Sequence, residues 1–184
     1  MNEVMKAILE RNSCRDFKPD PLTQEQVDTL IDAALAAPSA MNRQPWHIIA
    51  ITDKSFVDEL DAEGMSILAA AQDKAGYERM KDRGGKLFYG APCLLVIADD
   101  GTPYGKMDSG ILTENVCLAA HSLGLGTCIV GMAGVPLGGP NGEALKKRMS
   151  FPDGYQFAIG ILVGGVNQGK EPHELDKSKV TYVK

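Results

Sequence analysis

The chain has 184 residues, 44% of them apolar and 23% charged, with a formal net charge of −5. That length buries roughly 70% of the unfolded surface without disulfide or metal staples, and the composition excludes a collagenous, mucin-like or disordered chain. The acidic balance argues against a general nucleic-acid coat or a membrane-surface binder, although a local basic patch can still hold a small anion.

Residues 2–9 predict a short first helix with Val4, Met5, Ile8 and Leu9 on one side. Glu3, Lys6 and Glu10 interrupt its apolar stretch, unlike a signal peptide. Thr23-Gln24-Glu25-Gln26 is a capping box, and Val27, Leu30, Ile31, Ala34 and Leu35 follow it at helical spacing until Pro38. Residues 47–52 predict the first strand, and Asp53 caps a helix running to about residue 71. Residues 72–86 read as polar and irregular, with a positive stretch of Arg79, Lys81, Arg83 and Lys86. The wholly apolar segment 93–98 predicts a central strand buried on both faces. Residues 107–123 predict a helix ended by Gly124-Leu125-Gly126, and residues 127–130 a short strand. Residues 135–142, rich in glycine and proline, predict a loop. A short helix over 144–149, a last buried strand over 156–163 and a polar tail over 164–184 complete the chain. The longest apolar runs, 91–98 and 157–166, fall far short of the ~18 residues of a membrane span. Helices alternating with few short strands imply a single domain over 1–184, with one central sheet covered on both sides. The pattern alone leaves a parallel α/β sheet and a mixed α+β sheet both open.

The familiar chemical motifs are missing. No GxGxxG follows a strand, and Ile129 stands where a third glycine would continue Gly124-Leu125-Gly126. There is no GxxxxGK[ST], GxSxG or HExxH, and His47, His121 and His173 stand far apart. Cys14, Cys93, Cys117 and Cys128 form no CxxC pair or zinc spacing, so they read as buried free thiols in a reducing cytoplasm. Two constellations remain. Arg11-Asn12-Ser13-Cys14-Arg15-Asp16-Phe17 offers guanidiniums and a hydroxyl that can converge on a dianion, or equally complement a helix C-terminus. The stiff stretch from Pro38 to Trp46 carries Ser39, Asn42 and Gln44, which suit the ribityl hydroxyls and pyrimidine edge of a flavin or the loop's own backbone.

With these residues the sequence resembles the nitroreductase family of FMN-dependent oxidoreductases. The R-x-S-x-[RK]-x-[FY] opening is Arg11, Ser13, Arg15 and Phe17; the P-S-x-x-N-x-Q-P-W stretch is Pro38, Ser39, Asn42, Gln44, Pro45 and Trp46. The turn Gly124-Leu125-Gly126-Thr127-Cys128, an apolar strand ending at Gly164-Gly165, and the basic Lys177-Ser178-Lys179 follow in order. The resemblance implies an α+β, three-layer α/β/α fold with a mixed, mostly antiparallel sheet and a C-terminal extension reaching the partner of a homodimer, with FMN at the interface. It implies that Arg11, Asn12, Ser13 and Arg15 bind the FMN phosphate and nearby ribityl groups, joined by Lys177 and Lys179. Pro38, Ser39, Asn42 and Gln44 approach the flavin from the partner, and the Val130–Gly131 backbone lies near N5. The resemblance further implies that NADH or NADPH reduces the flavin and that a flat acceptor such as a nitroaromatic or quinone then takes the electrons by ping-pong hydride transfer through N5. The alternatives are a non-catalytic FMN-binding module, a flavin-modifying or ene-reducing relative, and a structural dimer. The sequence departs from the family before the second strand. Gly84 and Leu87 stand there at the positions that face the flavin pyrimidine in relatives, with Lys86 as the substitute for that contact. Nucleic acid and membrane are not expected partners, and the cytoplasm is the expected compartment.

Overall fold

Alternating burial sets the sheet. In the computed structural model, which describes residues 1–184, β2 (Cys93–Asp99) is buried at every position. Its Cys93, Leu95 and Ile97 join one apolar cluster, and Leu94 and Val96 join a second on the opposite face. β2 and β4 (Gln156–Gly165) form the middle of a four-stranded sheet, with β1 (Trp46–Ile51) and β3 (Leu125–Val130) at its edges, in the order β1-β2-β4-β3. All three strand pairings are antiparallel. The one parallel element is a bridge between Ser13 and Thr127, and Phe17 makes an antiparallel bridge to Val166.

Helices cover both faces, giving the expected three-layer α+β fold. α2 (Gln24–Leu35) and α5 (Gly105–Ser122) close one face through Leu30, Ala34, Leu112, Val116 and Ala120. α3 (Lys54–Ala70), α4 (Ala75–Lys81) and α6 (Gly142–Arg148) close the other through Phe56, Val57, Leu60, Met80 and Leu145. α1 (Glu3–Glu10) lies outside both layers and buries none of its residues. No helix is long and apolar enough to cross a membrane.

The helix starts follow their caps. Asn2 Oδ1 accepts from Met5 N at 2.9 Å to begin α1. Both bonds of the capping box form at α2: Gln26 N donates to Thr23 Oγ1 at 3.2 Å, and Thr23 N donates to Gln26 Oε1 at 2.9 Å. Asp53 Oδ1 accepts from Ser55 N at 2.9 Å ahead of α3. Three segments differ from expectation. Residues 72–86 contain α4, started by Asp73 accepting from Ala75 N at 2.9 Å and anchored by buried Met80. Only Gly124, at φ 71°, forms the left-handed end of α5; Leu125 and Gly126 already belong to β3. The glycine-rich stretch 135–142 contains the 3-10 turn Pro136–Gly138 and, at Gly142, the start of α6; a further 3-10 turn, Gly131–Gly134, precedes it.

Buried Asp61 of α3 pins the approach to β2, accepting from Leu87 N at 3.3 Å and Phe88 N at 2.7 Å. Burial pushes its pKa up, against the pull of those amides and of Lys86. A carboxyl raised in the folded state stabilises the fold most when protonated. Its contribution is therefore lost as pH rises above the unfolded value of about 3.9. Urea unfolding over a pH series should show the wild type losing ground to Asp61→Asn through that rise; a pH-independent gap between them would refute the assignment. All four cysteines are buried and free, and burial pushes Cys93 up to about 12 and Cys117 up to about 11.

Candidate cofactor site

The chain leaving α1 is laid against the free side of β3. Cys14 N donates to Thr127 O at 2.8 Å, and Lys18 N donates to Gly165 O at 2.8 Å. Gly126 permits this approach: a Cβ there would lie 2.7 Å from Cys14 Cβ and 2.8 Å from Val166 Cγ2. With Cys14 and Phe17 buried inward, Arg15 projects to solvent and Arg11 and Ser13 are half-buried. Arg11 Nε sits 3.5 Å from Glu114 Oε1 of α5.

Two cavities flank this segment. One, of about 250 Å³, is lined by Arg11, Asn12, Cys14, His121, residues 124–127 and Val166. The other, of about 210 Å³, brings Arg15 together with Val130 and Gly131, over a wall of Met80, Tyr89, Cys128, Ile129 and Met132. Thus Arg15, Val130 and Gly131 share one cavity while Arg11 and Asn12 line its neighbour. The charges still act together: burial pushes the Cys128 thiol up, against the pull of Arg15, Arg11 and Arg83. Cys128 is held as a thiol and is no nucleophile at neutral pH.

The cavity with Arg15 also contains Arg79 and Arg83 from the α4 side. Lys86 acts instead on Asp61, and Leu87 is buried in the core. Of the two, Arg83 lines this cavity and Lys86 does not. The spacing Gly76, Arg79, Met80, Arg83 is helical and could have revealed this, but the surrounding polar residues mask it.

The stretch from Pro38 to Gln44 is held in an uncommon shape. Met41, Asn42 and Gln44 have φ of 54°, 52° and 50°, a left-handed region that costs non-glycine residues of order 1–3 kcal/mol each. Ser39 Oγ accepts from Gln44 N at 2.8 Å, and Gln44 Nε2 donates to Asn42 Oδ1 at 3.2 Å. Buried Asp108 of α5 anchors the loop, both carboxylate oxygens lying 3.2 Å from Ala40 N. Asn42 and Gln44 remain exposed, so the loop is braced yet open. Asp108→Ala should destabilise the chain by about 1–3 kcal/mol, the scale of a hydrogen bond to a charged group. Hydrogen exchange at the Ala40 amide should accelerate with it; exchange at the wild-type rate would show that Asp108 is no anchor. Within one chain this loop lines neither cavity. Nor do Lys177 and Lys179, which lie on an exposed 3-10 turn where Lys179 sits 3.9 Å from Asp176.

Residues 8–165 match the model of the nitroreductase family. The chain belongs to that family. A nitroreductase of Desulfitobacterium hafniense, crystallised with bound FMN, is 44% identical, with a TM-score of 0.96 and full coverage of both chains. An FMN reductase [NAD(P)H] of Bacillus subtilis is 29% identical, the match spanning all of this chain and 76% of that protein. An NADPH-flavin oxidoreductase of Vibrio harveyi is 30% identical over 93% of this chain and 69% of its own. The donor set here fits FMN: guanidiniums and a hydroxyl suit a phosphate, the apolar wall suits a flat ring, and exposed side-chain amides suit polar ring edges.

Proposed function

We propose that this nitroreductase-family chain is an FMN-dependent oxidoreductase that uses NADH or NADPH to reduce a flat acceptor, such as a nitroaromatic or a quinone, in a ping-pong reaction. The observation that carries this reading is the cavity uniting Arg15 with the Val130–Gly131 backbone over an apolar wall. When bound, FMN would supply the two-electron redox chemistry that no side chain of this protein offers.

The chain's own residues bind, orient and shield. Arg11, Asn12, Ser13 and Arg15 hold the phosphate and ribityl groups, and three guanidiniums bearing on Cys128 support a local positive field in an acidic protein. Val130 and Gly131 offer backbone to the ring. Pro38, Ser39, Asn42 and Gln44 reach the flavin of a second subunit, and Lys177 and Lys179 join the phosphate from the tail. An uncovered apolar surface supports this dimer: Val4, Met5 and Ile8 of α1 are 64%, 44% and 44% exposed, and Met107 and Ile111 of α5 are also uncovered. The tail carries Val180, Tyr182 and Val183, equally uncovered. Free buried thiols suit a cytoplasmic setting.

The visible spectrum of the purified protein, taken without oxygen before and after NADH or NADPH, tests the reading. A yellow protein that bleaches and recovers its colour with a quinone or nitroarene is expected. A colourless protein that takes up no added FMN would overturn it.

A further inference from the structure

α4 and the turn that follows it border the Arg15 cavity. Gly76, Arg79 and Met80 of α4 line it together with Arg83, which stands in the turn beyond the C-cap Asp82. Two guanidiniums lining one small cavity repel each other. No carboxylate offsets them: neither arginine belongs to a salt bridge of the chain, and the cavity lining contains no Asp or Glu. Both are exposed, so they seal no core. The helix dipole accounts for a cation in the last turn of α4, where Arg79 sits, but no ion pair or packing holds both guanidiniums at this cavity. The wall beside them is apolar, formed by Met80, Tyr89, Ile129 and Met132. A flat acceptor stacked on the flavin that this wall backs would carry its substituents toward the guanidiniums.

We propose that Arg79 and Arg83 form an anion subsite that selects flat aromatic acceptors bearing a carboxylate. The subsite deepens the oxidoreductase reading and rests on it. Arg15 comes from the β3 side of the cavity and serves the cofactor. Arg79 and Arg83 come from the α4 side and serve the molecule that occupies the cavity with it. A guanidinium holds a carboxylate through two parallel charge-assisted hydrogen bonds, a geometry an ammonium does not reproduce. The adjacent cation adds to the field, since the charged groups lining the cavity are all of one sign.

The test uses the FMN-loaded protein with benzoate and its uncharged match benzamide as probes, titrated against the flavin absorbance. Benzoate should bind at least about tenfold more tightly, the scale of one charged hydrogen bond, and added salt should narrow the gap. In the double variant Arg79→Gln/Arg83→Gln the two probes should bind alike, with FMN retained as read from the visible spectrum. In turnover, the preference for a carboxylated nitroarene over its amide should fall by the same factor, through KM. Equal binding of the two probes by the wild type overturns the subsite, as does a double variant that keeps the preference. A variant that loses FMN shows that the pair serves the cofactor, and one that raises only the KM for NAD(P)H shows that it serves the donor's phosphates; both refute an acceptor subsite. A wild type that takes up no FMN refutes the oxidoreductase reading itself, whereas one that binds FMN and ignores probe charge refutes the subsite alone.

Discussion

Arg15→Ala is expected to weaken FMN binding about ten- to a hundredfold. A hydrogen bond to a charged group contributes roughly 1.5–3 kcal/mol, and about 1.4 kcal/mol is tenfold in affinity. Arg15 makes no ion pair within the chain, so its removal strands no carboxylate and the loss reads directly as lost cofactor contact. Arg11 differs, because its guanidinium lies against Glu114. Arg11→Ala removes a cation and leaves that carboxylate uncompensated near the phosphate, so added salt should recover more of its loss than of the Arg15 loss. Fluorescence titration of FMN into cofactor-free protein measures both. Wild-type affinity in the two variants would remove the segment from the phosphate site.

Gly126→Val should be the most damaging single change to the site without touching a polar group. Even a Cβ at Gly126 would overlap Cys14 Cβ and Val166 Cγ2, so valine must drive the segment carrying Ser13 and Arg15 away from β3. Overpacking of this kind costs about 1–3 kcal/mol and occasionally more. In a chain of this size each kcal/mol lowers Tm by roughly 2–4 °C. The expected result is a Tm lower by up to about 10 °C, together with weaker FMN binding, because the cations lose their register on the strand. Cofactor added in excess should restore part of the lost Tm, since it binds only the folded arrangement. A variant with unchanged Tm and affinity would mean that the approach at Gly126 is not what positions the segment.

The parts of this fold legible in the sequence are those set by local chemistry. The capping box at Thr23, the apolar run of β2 and the glycine at 124 each specify their own structure within a few residues. α4 escaped because a seven-residue helix with one buried anchor, Met80, carries too little periodic signal among charged neighbours. The start of β3 was obscured because Gly126 reads as a turn residue. Its reason for being glycine is a contact with Cys14, more than a hundred residues away in sequence. The site divides the same way. Arg11, Ser13, Arg15 and the 38–46 stretch stand out as compact motifs, whereas the pairing of Arg15 with Arg79 and Arg83 exists only across the assembled cavity. Asp108 was equally invisible, since nothing in α5 announces that one carboxylate braces a loop near residue 40.

α1 buries none of its residues and has only eight of them, short of the roughly 12–15 that an isolated helix needs to persist in water. Its order must be borrowed from whatever covers Val4, Met5 and Ile8, and Arg11 follows directly from its last turn. In the proposed dimer, subunit association and cofactor retention then become linked equilibria. Diluting the protein would loosen α1 and its arginine together, so the apparent FMN dissociation constant should rise as protein concentration falls, and a flavin-loaded chain should resist dissociation of its dimer.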